Sequence, residues 1–224
     1  MLQLKRLIIT LLLILSAATL RAQNSEIALG VRAGHYATFG GFAAVSLETT
    51  QALGRGFGVN GGVQYNTIGK CAVELRPSYT HNLSWGKISA EMLLHYANFA
   101  PLHNFAAGAG VGLSSRWVDG KLGYYYRFYG GSGARISEPF NIYYELYANL
   151  LPMIESWDLQ IGTTNCEIFE LERHYQPSFL AQCRYRHGEH LGVLFGVGCK
   201  PAGMFNLSAD YYQSFIKLGV CYRW

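Results

Sequence analysis

The 224-residue sequence lacks several features that define common protein classes. Beyond its first residues, no uninterrupted apolar run approaches the roughly 20 residues that a membrane-spanning helix requires, which excludes a helical membrane protein. Only 14% of the residues are charged, and there are only 6 prolines. No cluster of lysine and arginine is interleaved with aromatic residues, as a surface that tracks phosphates would require. We therefore expect no nucleic-acid partner.

The cysteines also lack a pattern that would indicate a disulfide framework. There are five, an odd number, and no Cys-x-x-Cys motif occurs among them, so at least one is free or pairs outside the chain. The alternation described below places Cys221 on the opposite face from Cys183 and Cys199. The five are Cys71, Cys166, Cys183, Cys199 and Cys221.

The N-terminus has the layout of a secretory signal peptide. Lys5 and Arg6 precede an apolar core, and small residues follow before Ala22. The uncharged stretch over 7–20 is 14 residues long, which is shorter than the roughly 20 residues of a spanning helix. The sequence therefore predicts a signal peptide over 1–22 that is cleaved after Ala22.

Residues 23–224 are predicted to form a single domain with little net charge. Removing the signal leaves 15 basic and 14 acidic residues, so charge gives no reason to expect an acidic partner. The composition is typical of a β-rich protein, with 26 glycines, 16 tyrosines and 12 phenylalanines. If a chain of this kind enters a membrane, all its backbone N–H and C=O groups must be hydrogen-bonded between strands, which requires a closed barrel.

Hydrophobic residues alternate with small or polar ones along nearly the whole chain, which is the period of a β-strand. The last eleven residues are the clearest case, because large apolar side chains occupy every second position. Eleven further segments repeat the pattern. The fold class is therefore all-β: a single antiparallel transmembrane β-barrel of about 12 strands, with 10 as the alternative. The alternating residues of the last segment are Ile216, Leu218, Val220, Tyr222 and Trp224.

The connections between the predicted strands alternate in length, as they do in outer-membrane barrels. Asp119-Gly120 in particular is typical of a tight hairpin. Short turns are predicted near 53–55, 83–85, 118–121, 152–156 and 187–189, and longer connections near 36–41, 99–103, 130–138, 162–176 and 200–210.

The last strand resembles the C-terminal signature of Gram-negative outer-membrane β-barrel proteins, which more often ends in Phe than in Trp. In that family the signature is read by the barrel assembly machinery. The resemblance implies insertion into the outer membrane, contact with its lipid, and recognition of Ile216, Leu218, Val220, Tyr222 and Trp224 during assembly. It names a class of protein and not an activity.

A soluble β-sandwich is the alternative fold, since its strands alternate in the same way. Its core would have to bury charged side chains at considerable cost in free energy unless each is paired. These side chains are Glu74, Arg76, Glu91, Arg127 and Glu145. In a barrel the same residues face the lumen, and the opposite face is apolar and meets lipid. The predicted lipid face includes Ile27, Leu29, Val63, Leu113, Phe128, Leu146, Val193 and Leu218.

The predicted lumen carries charges of both signs. They could form a salt-bridged plug or line a narrow passage with a weak preference for anions. Because small barrels have interiors filled by side chains, the plug is favoured. The predicted lumen charge network comprises Glu48, Glu74, Arg76, Glu91, His95, Arg116, Arg127, Glu145, Arg184, Arg186, Lys217 and Arg223.

Three motifs contain residue types that are used in catalysis, metal binding or phosphate binding, but their context does not support such a site. Ser89, Glu91 and His95 share one face of a strand, but alternate residues are about 6.6 to 6.8 Å apart, too far for proton transfer between Ser89 and His95. The turn over 187–190 offers two histidines and a glutamate, and a solvated turn needs polar residues in any case. The glycines of 108–112 indicate a crowded lumen wall. No catalytic residue, metal site or cofactor is predicted.

Three functions remain open. The first is a non-enzymatic barrel that acts as a structural or assembly component or as a narrow solute passage. The second is a surface binding barrel that contacts a protein partner through the long loop at 162–176. The third is a membrane-embedded hydrolase of lipid or lipopolysaccharide. We rank them in that order, since no convergent catalytic set is visible.

Overall fold

The computed structural model describes residues 25–37, 40–69, 71–99, 102–130, 140–165, 177–201 and 211–224. The predicted signal peptide lies outside these ranges. The described residues form a closed barrel of twelve strands in which each strand pairs with its sequence neighbours and β1 pairs with β12. All the pairings are antiparallel. This confirms the predicted fold class and the count of twelve.

The strands run along almost the entire described chain. Among the described residues there is no helix that is long and apolar enough to cross a membrane. Their bounds are β1 Glu26–Tyr36, β2 Gly40–Gly54, β3 Phe57–Asn66, β4 Cys71–Leu83, β5 Gly86–Phe99, β6 Leu102–Ser115, β7 Val118–Gly130, β8 Phe140–Asn149, β9 Trp157–Thr164, β10 Ser178–His187, β11 Leu191–Pro201 and β12 Tyr211–Arg223.

The first and last strands close the barrel along one seam. The register runs from Glu26 opposite Arg223 to Tyr36 opposite Gln213. Beyond the strands, Ser25 N donates to Trp224 O at 3.1 Å and Trp224 N donates to Ser25 O at 3.0 Å. The C-terminal strand recognised in the sequence is therefore the strand that removes the last free edge of the sheet.

The outer face is apolar, as the alternation predicts. Seven of the eight residues predicted to face lipid are exposed, and Val63 is half-buried on the same face. A soluble barrel would not expose so many large apolar side chains together. The seven are Ile27, Leu29, Leu113, Phe128, Leu146, Val193 and Leu218.

The four tryptophans all lie at one rim. Trp85 and Trp117 occupy the turns after β4 and β6, Trp157 is the first residue of β9, and Trp224 ends the chain. We call this end of the barrel, which also carries Ser25 and Trp224, the short-turn rim, and the opposite end the long-loop rim. Amphipathic aromatic rings prefer the membrane interface, so the tryptophans indicate one edge of an apolar band.

The hairpin between β6 and β7 differs from its prediction. It turns at Arg116 and Trp117, and Asp119-Gly120 lies within β7. The hydroxyl of Ser115 accepts from Trp117 N at 3.3 Å and from Val118 N at 3.1 Å. Because a side chain satisfies the turn, the chain reverses before the Asp-Gly pair.

Two of the predicted long connections are short, so those predictions are wrong. Strand β2 begins at Gly40, four residues after Tyr36 ends β1, and the β5–β6 ladder continues until Phe99 pairs with Leu102. At the first of these, the ring of Tyr36 packs against Phe42 with centroids 4.6 Å apart, which holds the two strand ends together. The other three predicted long connections lie largely outside the described residues.

Candidate functional site: the barrel lumen

Many of the charged residues of the lumen form two ion-paired groups on opposite walls. The first, called the buried network, lies on β4, β5, β7 and β8 and comprises Glu74, Arg76, Glu91, His95, Lys121 and Glu145. The second, called the solvated pairs, lies on β1, β2, β10 and β12 and comprises Glu26, Glu48, Arg184, Lys217 and Arg223.

Arg76 is the centre of the buried network. Its Nε lies 2.6 Å from Glu74 Oε1 and its Nη1 lies 2.9 Å from Glu145 Oε1. The second oxygen of Glu74 is 3.1 Å from His95 Nδ1. The side chains of Arg76, Glu74 and His95 are at most 5% exposed. A buried arginine can be accommodated at this position because its donors meet carboxylates directly.

Lys121 completes the network from the neighbouring strand. Its Nζ lies 3.1 Å from Glu91 Oε2 and 3.5 Å from Glu145 Oε2. Glu91 Oε1 also accepts a hydrogen bond from the hydroxyl of Tyr143 at 3.0 Å. Each carboxylate of the network therefore has at least two donors, which is what removal from water requires.

Glycines make room for the tyrosines that cover this network. A Cβ added at Gly110 would lie 2.2 Å from the hydroxyl of Tyr143, and one at Gly123 would lie 2.4 Å from its ring. The ring of Tyr143 therefore lies directly against two glycine backbones. It packs in a fully buried cluster with Leu93, Ala106 and Tyr125.

Arg127 is buried beside this cluster. Its Nη2 donates to the hydroxyl of Tyr125 at 3.2 Å, and its guanidinium carbon lies 5.5 Å from the centroid of that ring. The sequence predicted that Arg127 belongs to the lumen charge network. Its described contacts are instead with the side chain of Tyr125.

The solvated pairs have similar bond lengths and much more contact with water. Glu26 Oε1 is 3.2 Å from Arg184 Nη1, and Glu26 Oε2 is 3.0 Å from Arg223 Nη2. Lys217 Nζ is 3.0 Å from Glu48 Oε1. The three cationic side chains are 28 to 37% exposed.

A cavity of about 420 Å³ separates the two groups. Both walls contribute charged residues to its lining: Glu48 and Lys217 from one and Arg76 and Glu145 from the other. Glu26 at the start of β1 also lines it. The cavity therefore begins near the short-turn rim and has charged side chains on both walls.

Towards the long-loop rim the cavity ends at aromatic side chains. Tyr36, Phe42 and Phe215 are at most 6% exposed. The guanidinium carbon of Arg32 lies 3.5 Å from the centroid of Phe215, in the geometry of a cation–π contact. We call this cluster the aromatic plug; it consists of Tyr36, Phe42 and Phe215 with Ile68 and Leu180 packed against them.

Several charged lumen residues were missing from the predicted set, among them Glu26, Arg32, Asp119 and Lys121. Glu26 stands one residue before the first predicted strand, and Asp119 and Lys121 fall in the region predicted to be a turn. Arg32 has the inward parity of β1, so the alternation could have found it. Asp119 Oδ2 accepts from Asn149 at 3.0 Å and from Gln160 at 3.2 Å.

Arg116 and Arg186, both predicted network members, lie at the short-turn rim. The prediction for Arg116 is wrong, because the residue is exposed in the β6–β7 turn, where its guanidinium contacts Met153 and lies 5.9 Å from the ring centroid of Trp117. The turn begins earlier than the Asp-Gly pair suggests, so Arg116 leaves the lumen wall. Arg186 donates to the carbonyl of Glu155 at 3.3 Å.

The chemical motifs considered in the sequence are separated by the fold. Ser89 pairs in register with Thr80, whereas His95 pairs with Glu74. At the 187–190 turn, the rings of His187 and His190 lie near Tyr185 and Tyr222 respectively. Within the described ranges, no group of three or more His, Cys, Asp or Glu side chains is placed to hold a metal ion.

The described cysteines, Cys71, Cys183, Cys199 and Cys221, are free thiols. Cys221 is buried on the lumen side, where it lines the cavity, and Cys199 is exposed on the outer face. Cys166 lies outside the described residues.

The register also brings together a serine and a histidine that are far apart in sequence. His35 on β1 lies directly opposite Ser214 on β12. Ser214 in turn lies opposite Cys199 on β11. All three belong to the outer face near the long-loop rim, where His35 and Cys199 are exposed. Opposed side chains of neighbouring strands have Cβ atoms about 4.5 to 5.5 Å apart.

The sequence matches no protein-family model and no curated protein. The fold is similar to those of solved outer-membrane barrels. The KdgM porin aligns with a TM-score of 0.57 at 12% identity, over 88% of this chain and 99% of that one. The NanC porin aligns with a TM-score of 0.58 at 13% identity, over 88% and 100%. Outer membrane phospholipase A from Escherichia coli aligns with a TM-score of 0.52 at 8% identity, over 89% and 90%. The chain thus has the fold of an outer-membrane β-barrel.

Proposed function

We propose that this protein is a non-enzymatic barrel of the Gram-negative outer membrane, with a narrow, porin-like lumen that is closed in the state described. Small polar solutes enter the cavity from the short-turn rim, and the aromatic plug stops them. The observation that carries the proposal is the cavity of about 420 Å³ that is lined by charged side chains on both walls and ends beneath Phe215.

The side chains that fill the lumen support the closed state. The buried network and the tyrosine cluster occupy the wall from β4 to β8. Ion pairs of this kind are satisfied by one another and do not need a moving solute to complete them. The cavity remains between the walls because the solvated pairs leave room for water.

The similarity to two porins of nearly the same length supports a passage over a purely structural role. A cavity lined by charges of both signs favours small polar solutes over apolar ones, since each charge is a fixed hydrogen-bonding partner. The cation–π contact of Arg32 with Phe215 gives the plug a polar edge that faces the cavity.

Planar-bilayer conductance of the purified barrel tests the proposal. We expect the native protein to be silent at moderate voltage and Phe215→Ala to give stable unitary currents, because the substitution removes the ring against which Arg32 stacks. Phe195→Ala is the matched control, since Phe195 lies on the outer face and is 45% exposed. Large, stable currents from the native protein would contradict a closed lumen.

Hydrolysis of lipid is the second candidate function, favoured by the pairing of His35 with Ser214. In such a reaction Ser214 Oγ attacks an acyl carbonyl while His35 accepts its proton; the lysolipid leaves with that proton, and water then releases the fatty acid. The fold similarity to a phospholipase is consistent with this role. It ranks second because the register supplies only a pair of the groups that such catalysis uses.

A fluorogenic phospholipid assay separates the two candidates. A hydrolase should lose its activity in Ser214→Ala and in His35→Ala and keep it in Ser46→Ala, since Ser46 faces the lumen and donates to Glu48. Absence of activity in the native protein rejects the hydrolase.

Recognition by the barrel assembly machinery is part of the proposed function. The alternating residues of β12 present their apolar side chains on the outer face, where Ile216, Leu218, Val220 and Tyr222 are about half exposed. Deleting Trp224 should lower the fraction of heat-modifiable, assembled barrel in membranes, and an unchanged fraction would argue against this signal.

A further inference from the structure

The outer face carries an apolar groove with a cationic end, and we infer that it binds one phospholipid, with the acyl chains in the groove and the phosphate at the short-turn rim. The inference rests on the proposed location in a membrane and is independent of whether the lumen conducts. It is built from four observations: the shape of the groove, its lining, a break in the sheet beneath it and the charges at its end.

The groove crosses strands β3 to β8. Its volume is about 900 Å³, in the upper part of the range for small-molecule sites, about 300–1,000 Å³. The small side chains of Ala90 and Ala109 form its floor, with Met92 and Val111 beside them. A large side chain in place of either alanine would fill the groove. The groove therefore depends on the small size of these two side chains.

Aromatic pairs form the two walls. Phe57 and Tyr79 stand on one side with ring centroids 5.0 Å apart, and Tyr124 and Phe140 stack on the other at 5.6 Å. The lining is almost entirely apolar, which suits methylene chains and leaves a polar ligand without partners inside the groove.

Pro77 lies in the groove at an interruption of the sheet. The register of β4 with β5 pairs Leu75 with Leu94 and resumes where Ser78 pairs with Glu91. Proline has no N–H to donate to a ladder, which accounts for the gap. The groove therefore coincides with a gap in the β4–β5 ladder at a position that the sequence itself specifies.

Two cationic or hydrogen-bonding side chains lie beyond the short-turn end of the groove. His81 is exposed on the same face as Tyr79, two residues along β4, and Arg55 is exposed in the turn two residues before Phe57. Thr80 N donates to Gly56 O at 2.7 Å, which ties that turn to β4 beside His81. Arg55 and His81 thus approach one end of the groove together.

The tryptophans place these two residues at headgroup level. Trp85 follows β4 in the next turn and is 57% exposed, and Trp117 is 54% exposed at the same rim. Because tryptophan marks the membrane interface, Arg55 and His81 lie where lipid phosphates are found. Arginine is well suited to bind phosphate through two parallel hydrogen bonds.

Native mass spectrometry of the mature barrel, released from mild detergent after equilibration with phosphatidylglycerol, tests the inference. The native protein should retain one lipid. Ala90→Leu with Ala109→Leu should lower the retained fraction about tenfold. The matched control is Ala33→Leu with Ala181→Leu, which enlarges two alanines on the outer face of β1 and β10 and should change nothing.

A second arm tests the headgroup site. Arg55→Asn with His81→Gln should lower retention of phosphatidylglycerol to the level of a diacylglycerol with the same chains; Asn suits position 55 because Arg55 has φ of 52° and Asn tolerates that region. His187→Gln is the control. Equal retention by native and groove-filled proteins would overturn the inference, as would a groove-dependent dimer in place of bound lipid.

Each variant is first checked for heat-modifiable migration, so that failure to form a barrel is distinguished from loss of lipid. A protein that forms no membrane barrel contradicts the proposed function as a whole. A barrel that is silent in bilayers and retains no lipid contradicts the groove alone.

Discussion

The buried network and the solvated pairs use the same chemistry on opposite walls of one lumen, and they differ in how much water reaches them. The side chain of Arg76 is 5% exposed, and the side chain of Arg184 is 32% exposed. Their shortest distances to carboxylate oxygens are 2.6 Å and 3.2 Å. The comparison teaches that similar ion pairs have different roles depending on what packs over them.

Packing on the β4–β8 wall explains the difference. Tyr143 lies against Gly110 and Gly123 and donates to Glu91, so an aromatic side chain covers the network at Glu91. On the other wall a Cβ at Gly196 would meet nothing nearer than 3.7 Å. The open side leaves its three cations in contact with water, and the filled side buries Glu74, Arg76 and His95.

Breaking the buried network should have the largest effect. Arg76→Ala leaves Glu74 and Glu145 without their central cation and should lower the free energy of unfolding by about 3–5 kcal/mol. Arg184→Ala, the matched change among the solvated pairs, should cost about 0.2–1 kcal/mol. Urea titration in detergent, followed by gel mobility, measures both. Equal losses would mean that the two walls do not differ in energy.

Adding bulk to the filled wall should have the next largest effect. Gly110→Ala forces a methyl group against the Tyr143 hydroxyl and should destabilise the barrel by about 1–3 kcal/mol, the usual cost of overpacking. Gly196→Ala has room for its methyl group and should change stability little. The same urea titration checks the pair, and a neutral Gly110→Ala would indicate that the Tyr143 ring moves easily.

Added salt should lower the stability cost of a substitution among the solvated pairs more than that of one in the buried network, and this difference should be smaller than the two effects above. Lys217→Ala should cost about 0.2–1 kcal/mol at low ionic strength, and that cost should fall in 1 M salt, where the Debye length is about 3 Å. The cost of Arg76→Ala should stay nearly constant, because buried charges are screened less. A parallel decline for both variants would show that water reaches the network.

Chemical accessibility should reveal the same division without a large change in stability. With the native cysteines replaced by serine, Lys217→Cys should react with a small charged thiol reagent, because Lys217 lines the cavity. Ala106→Cys should stay unmodified, since Ala106 is fully buried on the filled wall. Mass spectrometry of the labelled protein measures the reaction, and rapid labelling of Ala106→Cys would contradict a filled wall.

Much of this architecture could be predicted from the residues, because alternation is a local property. The inward parity of Glu74, Arg76 and Glu91 follows from their neighbours in sequence, as does the outward parity of Leu218. Turns were harder to predict: the Ser115 hydroxyl, and not the Asp-Gly pair, ends β6. The lumen position of Asp119 was missed for that reason.

By itself the sequence determined that this chain forms strands, which face of each is apolar, and that the last strand carries the apolar stripe that completes the sheet. Only the tertiary structure decided which charges meet. Arg76 and Glu145 are 69 residues apart and Lys217 and Glu48 are 169 apart. Their pairing depends on register accumulated across several strands and on the closure of β1 with β12, and no local pattern encodes either.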